Sequence, residues 1–148
     1  MPGRLSSLIK FLVFVVILNV IRYLLGGPVE KLLILDRLFG AMDMSSSCFN
    51  THFTILDWTT SFFYNFMMWL TFTWVFIKMR PGLSGHEVVK SLKVYGLMLL
   101  LFASISAIYM NHYRHPKDFY FYNILDGIIV FPLVAVANGL IYPRLFRK

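Results

Sequence analysis

At 148 residues, 58% hydrophobic and only 14% charged, the chain is too apolar for an ordinary soluble domain, in which about 25% of residues are charged. Its one cysteine, Cys48, excludes an intrachain disulfide and any metal site built on several thiolates. The net charge of +7 does not point to nucleic acid, because the basic residues gather at the ends of apolar segments instead of among aromatics in an exposed groove.

A helix rises about 1.5 Å per residue, so roughly 20 apolar residues cross a hydrocarbon core of about 30 Å. The sequence predicts four such spans, at about 5–25, 54–77, 88–110 and 122–142. The residues between Asp57 and Lys78, and again between Lys93 and Arg114, include no Asp, Glu, Lys or Arg. The expected fold is all-α: one polytopic membrane domain over 1–148, with four transmembrane helices and a short external amphipathic helix between the first two.

The first span opens like a secretory signal. Arg22 interrupts it, however, and Tyr23-Leu24-Leu25-Gly26-Gly27-Pro28 holds no small-x-small cleavage site, so it reads as a retained anchor. A long loop is expected from 26 to 52. Within it, Pro28 and Gly40 bracket a helix over 29–39 with Leu32, Leu35, Leu38 and Phe39 on one face. That helix is read either as a lid over the bundle mouth or as a docking element for a partner. The stretch 43–51 is polar and expected to be irregular.

The second span carries an aromatic stripe of Trp58, Phe62, Phe66 and Trp69, which reads as packing or lipid contact. Arg80-Pro81-Gly82 stops it. Ser84-Gly85-His86-Glu87 then has the spacing of a capping box, so the third helix is expected to start at Gly85. Ala103 and Ala107, and Ala135 and Gly139, repeat at i,i+4 in the small-xxx-small pattern that lets helix backbones approach. Pro132 is expected to kink the last span.

Orientation follows from the basic residues. Arg4, Lys10, Lys78, Arg80, Lys90, Lys93, Arg144, Arg147 and Lys148 make nine on one side, against five on the other (Arg22, Lys31, Arg37, Arg114 and Lys117). The positive-inside bias puts both termini in the cytoplasm, in a bacterial inner membrane.

Polar groups inside apolar spans carry the functional signal, since an ionised group at mid-helix costs about 2.5–3.5 kcal/mol on insertion scales. Arg22, Asp57 and Asp126 all fall near the outer ends of their helices. Asp57, Ser61 and Asn65 share one helix face, and Asn19 with Arg22, and Asn123 with Asp126, form i,i+3 pairs. Arg22 is expected to pair with Asp57, Asp126 or both. The cluster is then either an interhelical lock or a polar pocket open to the outside. His52, His112 and His115 lie on the same side and form a weak candidate metal site.

No carboxylate stands at the midplane, no histidine pair faces across the spans for haem, and no G-x-S-x-G elbow is present. The sequence therefore predicts a non-enzymatic membrane protein without cofactors or nucleic-acid partners. Its partners are the bilayer and either itself or another membrane or membrane-associated protein, as subunit, anchor or sensor of a complex. A small channel or transporter with an outer polar vestibule is the first alternative, and a redox or metal protein using the outer histidines the second.

Overall fold

The computed structural model describes residues 2–45, 47–49, 52–114 and 116–146. All regular structure among them is helical. Among the described residues, three helical stretches are long and apolar enough to cross a membrane: Ser6–Asp43, Glu87–His112 and Lys117–Phe146. The helix α4 (Ile55–Met79) is only one residue shorter than the second of these, but its Thr, Ser, Asn and Tyr side chains keep it from the same degree of apolarity.

The first stretch departs from the expectation. The loop predicted at 26 is absent, and the chain continues as one rod from α1 (Pro2–Ile21) through a π turn at Arg22–Gly26, α2 (Gly27–Glu30), a second π turn at Lys31–Leu35 and α3 (Asp36–Asp43). At about 1.5 Å per residue this rod is roughly 60 Å long, twice a hydrocarbon core. The reason lies in how Pro28 is accommodated. A proline inside a helix loses a hydrogen bond and clashes with the preceding turn, and here the wider π turn precedes it. Gly26 and Gly27 keep helical dihedrals, and Gly26 is buried beside Val130. The helix also runs past Gly40 to Asp43. Its buried face is set by Glu30, Ile34 and Ala41; of the apolar face expected over 29–39, Leu35 and Leu38 are half-buried beside it, whereas Leu32 and Phe39 are exposed.

The remaining helices are α5 (Glu87–His112) and α6 (Lys117–Phe146). The rods form a ring in which α1 touches α4 and α6, and α5 touches the same two. The α5–α6 pair is the most extensive contact. A Cβ on Gly139 would lie 2.8 Å from the Val88 nitrogen and 2.9 Å from the Glu87 oxygen, so only glycine permits this approach. Ala135 is buried there too, whereas Ala107 is exposed and takes no part. Helix α6 continues unbroken through Pro132. The core fills the diagonal of the ring with Phe14, Leu18, Trp69, Phe76, Tyr95, Phe131 and Val134. The α4 hydroxyls of Thr59, Thr71 and Thr73 donate back to Ile55, Met67 and Trp69 carbonyls, which satisfies them within the helix.

The capping box lies elsewhere than expected. Helix α5 starts at Glu87 with His86 as its cap, the imidazole Nδ1 accepting from the Val88 N–H. Glu87 instead holds Arg80, with Nε–Oε2 and Nη2–Oε1 distances of 2.6 and 2.8 Å. These hydrogen bonds push the Arg80 guanidinium above its ordinary range, and its cationic face lies 4.8 Å from the Tyr142 ring centroid. The reciprocal box forms at the start of α4, between Thr54 and Asp57.

Candidate functional site

Arg22 and Glu30 sit on the same rod, eight residues apart, and their side chains meet at 2.6 Å. On a regular helix, eight steps of about 100° leave two side chains some 80° apart. The π turn at Arg22–Gly26 adds roughly one residue to the turn and takes back about one such step. Both side chains then point to one face, toward α6. The pair is well buried, with side-chain exposures of 14% and 5%. Asp126, on α6, stands within hydrogen-bonding reach of Glu30. One cation and two carboxyl groups thus meet where the rod, around its first π turn, packs against α6.

Beside them is a cavity of about 200 Å3 lined by Arg22, Asn65, Trp69, Asn123, Asp126 and apolar residues from α4, α5 and α6. Four buried polar atoms of these lining residues have no hydrogen-bond partner among the described residues: Arg22 Nε, Asn65 Oδ1, Trp69 Nε1 and Asp126 Oδ1. Two are donors and two are acceptors. A polar cavity of this size admits water or another small polar group, and these four atoms offer an occupant two donors and two acceptors. Toward the Arg80 end the cavity is floored by aromatic rings, with Trp69 and Phe102 packed on Phe131 and Trp69 stacked on Tyr95.

Of the residues singled out in the sequence, Arg22, Asn65, Asn123 and Asp126 line this cavity. The Asn123 amide donates to the Phe119 carbonyl at 2.9 Å, which orients it as part of the wall. Ser61 lines a neighbouring recess with Asn65. The Asp57 carboxylate accepts from the Thr54 N–H and hydroxyl at 2.8 and 2.6 Å, so it serves as a helix cap. His112 Nδ1 bonds the Ile108 carbonyl; His52 is exposed, and His115 lies outside the described residues. No group of three His, Cys, Asp or Glu arranged for a metal occurs among the described residues.

Two members of the site are not marked by the sequence pattern. Glu30 falls in the segment expected to lie outside the bundle, and its partnership with Arg22 requires the helix to run through Gly26-Gly27-Pro28. Trp69 belongs to the aromatic stripe, and only its buried indole N–H marks it as polar. No family model, curated protein or solved structure matches this chain.

Proposed function

We propose that this chain is an integral membrane protein of four spans whose work is binding: it takes a polar group into the cavity bounded by Arg22, Asn65, Trp69 and Asp126. In this reading α4 is the fourth span, both termini are cytoplasmic, and the cavity lies in the outer third of the bundle. The observation that carries it is the convergence of four unpartnered, buried polar atoms on one cavity. A lock that only fixed register would pair these atoms with one another, as Arg80 and Glu87 are paired at the opposite end.

Cysteine labelling tests the reading. With Cys48 replaced by serine, an Asn65→Cys variant in intact cells is expected to react with a small water-soluble thiol reagent supplied outside. Protection of that thiol until the membrane is opened would contradict an outward-facing vestibule.

A second reading, assembly through α4, has its own support. Thr60, Tyr64, Met67, Thr71, Trp74 and Lys78 are all exposed and alternate by four and three residues, the spacing of a coiled-coil seam. The Thr71 hydroxyl is satisfied within the helix, which leaves small Thr side chains and the Tyr64 hydroxyl on a face of the kind that packs helix against helix in lipid. The mass of the complex in mild detergent, compared between the native chain and Thr71→Leu with Tyr64→Leu, tests it. A monomer in both cases would end this reading.

A further inference from the structure

The Arg22 cavity does not stand alone. A recess of about 150 Å3, walled by Tyr23, Trp58, Ser61 and Phe62, adjoins it and shares Asn65 with it. That recess in turn shares Tyr23 with a groove of about 350 Å3 bounded by Val16, Val20 and Leu24 on the first rod and Phe66 on α4. The one amide in the groove wall, Asn19, is turned onto the Val15 carbonyl at 2.9 Å, so the groove is apolar. Along one flank of the bundle the surface therefore passes from charged, through aromatic and hydroxyl, to wholly apolar. From Tyr142, beside Arg80, to Asp126 is about 24 Å along α6. With the Arg80 end at one face of a hydrocarbon core of about 30 Å, the cavity sits just inside the other face.

We propose that the occupant is a membrane phospholipid with a primary-amine headgroup, its head in the Arg22–Asp126 cavity and an acyl chain in the groove between α1 and α4. This rests on the reading of the cavity as a binding site. An ammonium group brings three donors and no acceptor, which matches Asp126 Oδ1 and Asn65 Oδ1. The phosphate and ester oxygens accept from Arg22 Nε and Trp69 Nε1. Geometry points the same way: Arg22 closes on Glu30 at 2.6 Å, and the Asp126 Oδ1 atom is left facing the cavity without a hydrogen-bond partner among the described residues. The aromatic floor of Trp69, Phe102 and Phe131 suits a cation as well. A choline head has no N–H to give, and an anionic glycerol head adds negative charge beside two acids.

Native mass spectrometry of the full-length protein in non-ionic detergent tests this. Phosphatidylethanolamine, phosphatidylcholine, phosphatidylglycerol and water-soluble glycerophosphoethanolamine are titrated separately. The expected result is saturable binding of one phosphatidylethanolamine per chain, with phosphatidylcholine and phosphatidylglycerol weaker by about tenfold or more, the scale of one lost charged hydrogen bond, and the soluble headgroup weaker by at least as much for want of an acyl chain to bury. Asp126→Asn, close to isosteric, is expected to remove the preference for the amine. Val20→Trp, which fills the groove from its exposed wall, is expected to weaken the lipid and leave the soluble headgroup unchanged. Equal binding of the soluble headgroup and the lipid would overturn the amphiphile while the cavity remained a binding site. Equal binding of all three lipids, unchanged by Asp126→Asn, would overturn the headgroup assignment. Absence of binding by all four would overturn the proposal, whereas the reading beneath it falls only if the Asn65→Cys thiol is also protected from the water-soluble reagent.

Discussion

Arg22 and Glu30 lie eight residues apart on a single rod and close to 2.6 Å because a π turn begins at Arg22 itself. The turn converts two residues that a regular helix would splay into partners on the face that meets α6. Sequence, local geometry and site are therefore coupled at one place.

Register changes inside that turn should have opposite effects according to sign. Deleting Leu25, which is exposed, leaves seven regular steps between the two residues, about 20° short of two full turns, so the pair stays on one face. Inserting an alanine after Leu24 instead adds a step and drives Glu30 away from Arg22. Thermal melting in detergent is expected to show a modest loss for the deletion and a large one for the insertion. Equal losses would contradict the assigned role of the π turn.

Removing one partner of the pair should cost more than removing both. Arg22→Ala strands two carboxyl groups in the interior, a loss of about 3–5 kcal/mol. The double replacement Arg22→Met with Glu30→Leu leaves Asp126 as the only acid and is expected to be milder. Chemical denaturation of the two variants measures the difference, and a double variant no better than Arg22→Ala would refute it.

Two glycines offer a matched test of the α5–α6 contact. At Gly139 a methyl group meets Val88 and the Glu87 carbonyl, whereas at Gly96 nothing lies within 4 Å. Gly139→Ala is expected to destabilise by about 1–3 kcal/mol through overpacking. Gly96→Ala is expected to be neutral or to stabilise, by up to about 1 kcal/mol. Melting temperatures of the two variants decide the matter.

Arg80 and Glu87 form the counterpart pair at the other end, but Arg80 remains one-third exposed. Partly exposed ion pairs contribute only about 0–1 kcal/mol and weaken with salt. Glu87→Gln should therefore cost little, and the cost should shrink further at high salt. A loss as large as that of Arg22→Ala would mean that this end of the bundle carries far more of the stability than its exposure allows.

Much of this arrangement was legible in the sequence, and the failures have identifiable causes. Runs free of Asp, Glu, Lys and Arg mark α4 and α5 in the sequence, and α6 is recovered from its length and apolarity although Asp126 interrupts it. Depth marks Arg22, Asn65, Asn123 and Asp126, since polar groups at such positions are expensive, and all four line one cavity. Gly26-Gly27-Pro28 misled because its residues ordinarily end helices; tertiary packing of Gly26 on Val130 and the preceding π turn override that tendency. Asp57 shares a face with Asn65, yet Thr54 three residues earlier claims it as a cap. Glu87 sits at capping-box spacing from Ser84, yet it bonds Arg80 across the turn. In both cases two partners compete for one carboxylate, and spacing alone does not rank them.

The most direct test of the account is a high-resolution map of the protein grown from a lipidic mesophase. It is expected to show a bound polar group within hydrogen-bonding distance of Trp69 Nε1, Asp126 Oδ1 and at least one of Arg22 Nε and Asn65 Oδ1. A map in which these four atoms bond to one another and the cavity between them is closed would contradict it.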